Sequence, residues 1–116
     1  MSKEWDPDDI FDVLASETAR EILVAAHQGP VSASDLVERC GRSKATVYRR
    51  LSQLEEYGLL TTELAVDGQG NHFSTYETDM DEICFAISGE TFEATVARRP
   101  GFVDRFDALW RSLERG

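Results

Sequence analysis

The sequence contains little lysine and cysteine and no long apolar run. Lys3 and Lys44 are the two lysines among 12 basic residues, and the rest are arginines. Cys40 and Cys84 stand far apart, without the Cys-x-x-Cys or Cys/His spacing of a structural zinc site. The longest apolar stretch, Ile22–Ala26, is too short to cross a membrane, and the N-terminus has no signal-peptide pattern. We therefore expect a cytoplasmic protein with no metal and no cofactor.

Acidic residues dominate the charge of the chain. The 116 residues suffice for one hydrophobic core and are too few for two. The 22 acidic and 12 basic residues give a formal net charge of -10, a balance that argues against a general nucleic-acid or membrane-surface binder. Carboxylates stay hydrated when molar salt screens their repulsion. The composition therefore favours a halophilic, archaeal protein, with an acidic mesophilic protein as the alternative.

Helix-start and helix-stop signals predict four helices in the first half of the chain. Each start is a residue that can cap a helix and that precedes apolar residues at helical spacing, namely Asp6, Ser16, Ser32 and Ser43. The predicted ends lie near Ala15, Gly29, Gly41 and Gly58. Only the short stretch 40–42 separates the third helix from the fourth, which is typical of a helix-turn-helix.

Two β-hairpins are predicted in the second half, where the apolar period changes to two. Leu60–Val66 and Phe73–Thr78 flank the glycine-rich turn Asp67–Asn71. Alternation resumes over Ile83–Ile87 and again over Phe92–Val96, and this predicts the second hairpin. A hairpin that directly follows a helix-turn-helix is a wing.

A last helix is predicted beyond Pro100 from an apolar stripe at helical spacing. The stripe consists of Phe102, Phe106, Leu109, Trp110 and Leu113. The whole pattern predicts an α+β fold, a winged helix-turn-helix with an appended β-hairpin and a C-terminal dimerisation helix. The predicted parts are an N-terminal tail (1–6), the winged helix-turn-helix DNA-binding domain (7–78), the accessory β-hairpin (79–99) and the C-terminal amphipathic helix (100–116).

Two segments of the chain resemble a known family. Leu14–Leu23, with the sequence LASETAREIL, resembles the entry helix of ArsR-like regulators, and Gly29–Leu60 resembles their helix-turn-helix. This resemblance covers roughly residues 10–78. The rest of the chain is similar to a group of short haloarchaeal helix-turn-helix proteins. The resemblance implies a homodimeric transcription regulator whose fourth helix, about 44–57, enters the major groove.

The fourth helix has a buried face and a polar face. At 100° per residue, Val47, Leu51 and Leu54 fall on one side of the helix and Arg49 on the other. Residues predicted to bind phosphates are Arg42, Ser43 and Arg50. Residues predicted to contact base edges are Lys44, Ala45, Thr46, Tyr48 and Arg49. Arg49 is the best candidate for binding a guanine.

Basic and acidic residues are segregated along the chain. The stretch 39–54 contains five basic residues and no acidic one, whereas 52–97 contains ten acidic residues and no Lys or Arg. A phosphate backbone at close range meets the local field rather than the net charge. The segregation favours sequence-specific DNA binding over the alternative, a solvated helix face paired with neighbouring carboxylates.

The wing lacks the Lys or Arg that would bind DNA strongly. Gln69, Asn71 and His72 are the residues of its tip that could donate hydrogen bonds to DNA, whereas Asp67 would repel phosphates. The bare wing favours the alternative function, a winged-helix protein-interaction adaptor of the transcription machinery without specific DNA binding. An enzyme is not expected, because no carboxylate pair, nucleophile–base set or phosphate-binding loop is found.

The apolar residues at both ends of the chain predict a homodimer. The stripe of the last helix is large for a solvent-facing helix of a small domain, and Ile10, Phe11 and Leu14 of the first helix complement it. A two-fold dimer would match palindromic half-sites on DNA. The alternative is that both helices pack on their own domain.

Cys40 is a candidate redox residue. Its neighbours Arg39 and Arg42 would lower the pKa of the thiol and favour the thiolate. The alternative is structural packing, which we also expect for Cys84, a small hydrophobic residue between Ile83 and Phe85. Cys40 has no second cysteine nearby and the last helix has no histidine, so metal sensing is disfavoured. No particular small-molecule effector is indicated.

Overall fold

The structure is a computed structural model that describes residues 7–99. The N-terminal tail with Asp6 and the predicted C-terminal helix lie outside these residues. The elements, in chain order, are α1 (Pro7–Leu14), α2 (Glu17–His27), β1 (Val31–Ser32), α3 (Ala33–Cys40), α4 (Lys44–Glu56), β2 (Thr61–Val66), β3 (His72–Glu77), β4 (Met80–Ser88) and β5 (Thr91–Arg98). The described residues therefore form an α+β fold with four helices and antiparallel sheets.

Three serines begin the helices as the sequence predicts. The hydroxyl oxygen of Ser16 accepts a hydrogen bond from the N–H of Ala19 at 3.2 Å, and that of Ser32 accepts one from Asp35 at 3.1 Å. Ser43 caps α4 in the same way. Each bond satisfies one of the backbone donors that a helix N-terminus leaves free.

Gly41 fixes the turn between α3 and α4. It lies in the left-handed region with φ 61°, and its N–H bonds to the carbonyl of Val37. Because side chains with a Cβ avoid this conformation, glycine ends α3 here and starts the turn of the helix-turn-helix.

Three strands form the sheet that contains the wing. β2 pairs with β3 in the register Thr61↔Glu77 to Val66↔His72, and β1 pairs with β3 through Val31↔Tyr76. The strand order is β1-β3-β2. The sequence predicted the β2–β3 hairpin but not β1, because two residues are too few to show an alternating pattern.

The second predicted hairpin forms a separate two-stranded sheet, β4–β5. Its base is fixed by Arg98, which forms an ion pair with Asp79 at 2.7 Å and donates to the carbonyl of Gly58 at 2.8 Å. Arg99 donates to the carbonyl of His27 at 3.0 Å, and His27 contacts Asp81 at 2.8 Å. These contacts attach the hairpin to the C-terminal ends of α2 and α4. The division of the chain into a DNA-binding domain (7–78) and an accessory hairpin (79–99) stays a prediction.

The core lies between the helices and the three-stranded sheet. Its largest fully buried side chains include Ile22, Leu36, Val47, Leu51, Leu54 and Leu59. Ile10 belongs to this core, with 0% of its surface exposed. The prediction that Ile10 lies in a dimer interface is therefore wrong, because α1 turns this side chain towards its own domain. Phe11, the next residue of α1, is exposed and Leu14 is partly buried.

No helix within residues 7–99 is long and apolar enough to span a membrane.

Candidate nucleic-acid interface

Helix α4 shows the two faces that its sequence predicts. Val47, Leu51 and Leu54 are buried against the rest of the domain. The opposite face is exposed and consists of Lys44, Ala45, Tyr48 and Arg49. The structure thus brings four of the predicted base-contacting residues together on one solvent-facing surface.

Two of the predicted DNA-binding residues, Ser43 and Thr46, form hydrogen bonds at the N-cap of α4. The hydroxyl of Ser43 accepts from the N–H of Thr46 at 3.2 Å and donates to the hydroxyl of Thr46 at 2.9 Å. Thr46 is partly buried. The side chain of Thr46 therefore stabilises the helix start and is less available to a base than sequence reasoning assumed.

Two of the predicted phosphate-binding arginines have partners within the protein. Arg42 lies 3.5 Å from a carboxylate oxygen of Glu17, and the two side chains are 49% and 65% exposed. Such a pair in water contributes little and can exchange for a phosphate. Arg50 donates from one guanidinium nitrogen to Gln53 at 2.8 Å, while its Nε is buried without a partner among the described residues.

A groove between α3 and α4 adjoins the exposed face. It is lined by Ser34, Val37, Lys44 and Tyr48, and the ammonium of Lys44 lies 5.7 Å from the centre of the Tyr48 ring. That distance is within cation–π range. Ser34, which is not among the residues predicted from the sequence, lies in the first turn of α3, two residues after the cap Ser32.

Asp67, the aspartate at the wing tip, forms hydrogen bonds within the turn. The Asp67 carboxylate accepts hydrogen bonds from the backbone N–H groups of Gln69 at 2.8 Å and Asn71 at 2.9 Å. These bonds hold the pKa of Asp67 below its usual value, because they favour the charged form. Gln69, Asn71 and His72 are exposed. The negative charge of Asp67 lies in the same turn.

The environment of Cys40 is opposite to the one predicted. Burial raises the pKa of the thiol, and a hydrogen bond to Glu21 with the charge of that carboxylate raises it further, against a smaller opposing effect of Arg42. The neighbours in sequence therefore do not make Cys40 a thiolate. The carboxylate of Glu21, on α2, adds to the effect of burial and outweighs that of Arg42.

Cys84 is exposed, so the prediction that it is buried is wrong. It lies on the polar face of the β4–β5 hairpin, where its thiol donates to Glu82 at 2.7 Å. This hydrogen bond is the main reason that the pKa of Cys84 is raised. Within residues 7–99 no group of three or more His, Cys, Asp or Glu side chains could hold a metal ion.

The fold is similar to that of a solved regulator structure. Reduced HlyU from Vibrio cholerae N16961 superimposes with a TM-score of 0.52 at 19% sequence identity, over 62% of this chain and 70% of that chain. HlyU is a winged-helix regulator, and a likeness at this level of identity shows the winged-helix fold. No protein of curated function matches the sequence.

The model of one protein family matches residues 7–70, which is more than half of the chain. The matched segment contains α1 to α4, strand β2 and most of the wing turn. The family is haloarchaeal, in agreement with the acidic, lysine-poor composition, whereas the ArsR-like subtype stays a prediction. The chain belongs to the family described as the HVO_A0261 N-terminal domain.

Proposed function

We propose that this protein is a sequence-specific DNA-binding transcription regulator whose helix α4 enters the major groove. The observation that carries the proposal is the exposed face of α4 with Lys44 and Arg49, in a stretch, 39–54, that contains five basic residues and no acidic one. An α-helix fits the major groove, where side chains can distinguish all four base pairs. The winged-helix fold shared with HlyU, a regulator, supports the proposal.

The net charge of -10 is compatible with DNA binding because the charges are segregated. Electrostatic interactions between exposed charges decay over about 8 Å at physiological salt and about 3 Å at 1 M salt. A phosphate beside Arg42 or Lys44 is then affected mainly by the charges next to it. The ten carboxylates of 52–97 lie on or beside the strands, apart from Glu55 and Glu56 at the far end of α4.

The proposal assigns two roles to the residues around α4. Arg42, Ser43 and Arg50 position the protein on phosphates, and the exposed residues of α4 distinguish bases. Arg49 has the central place on that face and is assigned to a guanine, whose O6 and N7 accept the two hydrogen bonds of a guanidinium. The wing residues Gln69, Asn71 and His72 contribute weakly beside Asp67. The function is binding, without catalysis.

The proposal includes a homodimer of the ArsR-like kind in the cytoplasm. Two copies related by a two-fold axis match a palindromic operator, and doubling the interface raises affinity for the paired half-sites. The sequence-predicted surface that remains after the exclusion of Ile10 combines Phe11 and Leu14 with the C-terminal stripe. Phe11 is 43% exposed and can take part in such a contact.

A protein-interaction adaptor is the second candidate function. The observation that favours it is the wing, which has Asp67 at its tip and no basic side chain. An acidic wing and acidic strands suit a basic protein surface better than a phosphate backbone.

Selection from random duplex DNA at high potassium concentration tests the two candidates. We expect the wild-type protein to enrich one palindrome and to bind it as two chains per duplex. Lys44→Gln with Arg49→Gln should abolish the enrichment. Ser88→Glu with Thr95→Glu lowers the net charge by the same amount on the polar face of the β4–β5 hairpin, and this control should still enrich the palindrome. No enrichment by the wild-type protein would exclude the regulator and favour the adaptor.

A further inference from the structure

A groove with a volume of about 480 Å³ lies between α2 and α3. Sites that bind small molecules in proteins measure about 300–1,000 Å³. None of the residues that line this groove belongs to α4. The groove is therefore large enough for a small organic molecule and is separate from the proposed DNA surface.

Each of the two helices contributes one face to the groove. Leu36, Arg39 and Cys40 line it from α3, and their spacing of three and four residues places them on one side of that helix. Glu21 and Val24, three residues apart on α2, line the opposite wall. The two walls thus combine apolar side chains with charges of both signs.

The base of the groove is apolar. Ala25 and Leu36 line it and are buried in the domain core, whereas Val24 on the wall is 63% exposed. An apolar wall that is open to water is stabilised when an apolar group covers it. The groove therefore favours a ligand with an apolar body.

One carboxylate oxygen in the groove lacks a hydrogen-bond donor. Oε2 of Glu21 is buried and has no partner among residues 7–99, whereas nearly all buried polar atoms in proteins have one. The thiol of Cys40 bonds to the same side chain, but a thiol is a weak donor. An ammonium group would supply a strong one, because a hydrogen bond between two charged groups is stronger than a neutral one.

Arg39 supplies the opposite charge at the rim of the groove. It is exposed, and no hydrogen bond or ion pair with another residue of 7–99 restrains it. Arg20, also at the rim, donates to the carbonyl of Leu14. Glu17 pairs with Arg42. Arg39 is thus the charged group of the rim that is available to a ligand carboxylate, which a guanidinium binds through two parallel hydrogen bonds.

The two available charges border the same part of the groove. Cys40, whose thiol contacts Glu21, directly follows Arg39 in the chain. A ligand that satisfies both groups therefore needs an ammonium and a carboxylate close together. An α-amino acid has both groups on one carbon atom.

We propose that the groove between α2 and α3 binds an α-amino acid with an apolar side chain. The ammonium donates to Oε2 of Glu21, the carboxylate binds the guanidinium of Arg39, and the side chain lies on Val24 and Leu36. One ligand molecule then links α2 to α3. The site does not include the exposed face of α4, so the ligand binds without DNA.

A nuclear magnetic resonance titration of the full chain with L-leucine tests the site. We expect saturable shifts of the backbone amide resonances of Ala25, Leu36 and Cys40. Isoamylamine lacks the carboxylate of leucine and isocaproate lacks its ammonium, so each should bind about tenfold more weakly or worse. No saturable shift with L-leucine, or shifts confined to residues outside the groove, would overturn the proposal. Because the titration contains no DNA, its failure would leave the proposed function standing.

Two variants assign the ends of the ligand. Glu21→Gln should weaken L-leucine about tenfold and leave isocaproate, which has no ammonium, unchanged. Arg39→Gln should weaken L-leucine by a similar factor and leave isoamylamine unchanged. The amide resonances also report whether each variant is folded, and Arg39 is exposed, so its replacement leaves the core intact.

The matched control is Glu38→Gln, which removes an exposed carboxylate from the opposite face of α3. Its affinity for L-leucine should equal that of the wild type. An equal loss of affinity in Glu38→Gln and Glu21→Gln would mean that net charge, and not the groove, determines binding. Isoamylamine that bound the wild type as tightly as L-leucine would exclude an amino acid as the ligand.

Discussion

Arg42, Arg49 and Arg50 differ in the interactions that their guanidinium groups make within the protein. Arg42 pairs with Glu17, and Arg50 is partly buried and bonded to Gln53. Arg49 is exposed, and no hydrogen bond or ion pair with another residue of 7–99 restrains it. In the proposed complex, the unrestrained side chain of Arg49 at the centre of the exposed face would reach a base edge, whereas Arg42, at the margin, would lie nearer a phosphate.

Replacing Arg49 and replacing Arg42 should therefore change binding in different ways. Arg49→Ala should relax specificity at one position of each half-site, by about 1–3 kcal/mol of discrimination, with a nearly unchanged salt dependence. Arg42→Ala should weaken binding to all sequences alike and reduce the salt slope by about one. Binding isotherms on cognate and single-mismatch duplexes at several salt concentrations measure both effects. Equal losses on cognate and mismatched DNA for Arg49→Ala would make Arg49 a phosphate contact.

The two cysteines differ in whether their neighbours in sequence determine the pKa of the thiol. Arg39 and Arg42 flank Cys40 along the chain, yet burial and then the carboxylate of Glu21, on another helix, raise the pKa of its thiol. Cys84 alternates with apolar residues, but its side chain points to the polar face because the period of a strand is two. The raised pKa of Cys40 depends on how α2 packs on α3, which the local sequence does not contain, whereas the contact of Cys84 with Glu82 is local and follows from the strand period.

At the scale of elements, the predictable features are those with a local cause. Ser16, Ser32 and Ser43 were predicted as caps because a cap bonds only to the next turn of its own helix. The outward direction of Arg49 followed from helical periodicity alone. In contrast, the pairing of β1 with β3 and the packing of Phe11 on the hairpin join residues far apart in the chain. Periodicity predicted an apolar side for α1 but not that Ile10 would be buried while Phe11 stayed exposed.

Ser43 caps α4 and also lies at the proposed DNA surface. Ser43→Ala should lower the free energy of unfolding by about 1 kcal/mol, because the N–H of Thr46 loses its acceptor. Ser43→Asn and Ser43→Asp should both keep the cap and the stability. Asp also places a negative charge where a phosphate is proposed to bind, so only Ser43→Asp should weaken binding to every sequence.

Urea unfolding and DNA-binding measurements on the three variants separate the two effects. The Asn and Asp side chains have nearly the same shape, so their difference in affinity reports the charge alone. Equal affinities for Ser43→Asn and Ser43→Asp would mean that the N-terminus of α4 does not face phosphates.

For the molecule as a whole, we expect salt to act in opposite directions on folding and on the proposed DNA binding. Counterion release makes phosphate contacts weaker as salt rises. The sequence has 22 acidic residues for 12 basic ones, and the ion pairs among the described residues, such as Arg98–Asp79, are exposed. Screening therefore removes more repulsion than attraction. Recognition that relies on hydrogen bonds to base edges tolerates molar salt better than recognition that relies on phosphates.

We accordingly expect potassium chloride to stabilise this protein. The free energy of unfolding should rise by about 1 kcal/mol or more between 0.1 and 2 M salt, the scale of a few like-charge contacts. Chloride is preferred to sulfate for the experiment, because sulfate stabilises proteins by its exclusion from their surface. Glu63→Gln with Glu77→Gln removes two carboxylates from one face of the β2–β3 hairpin, so this variant should be more stable than the wild type at low salt and should show a smaller rise. If stability instead fell as salt was added, the exposed ion pairs would outweigh the repulsion among the carboxylates.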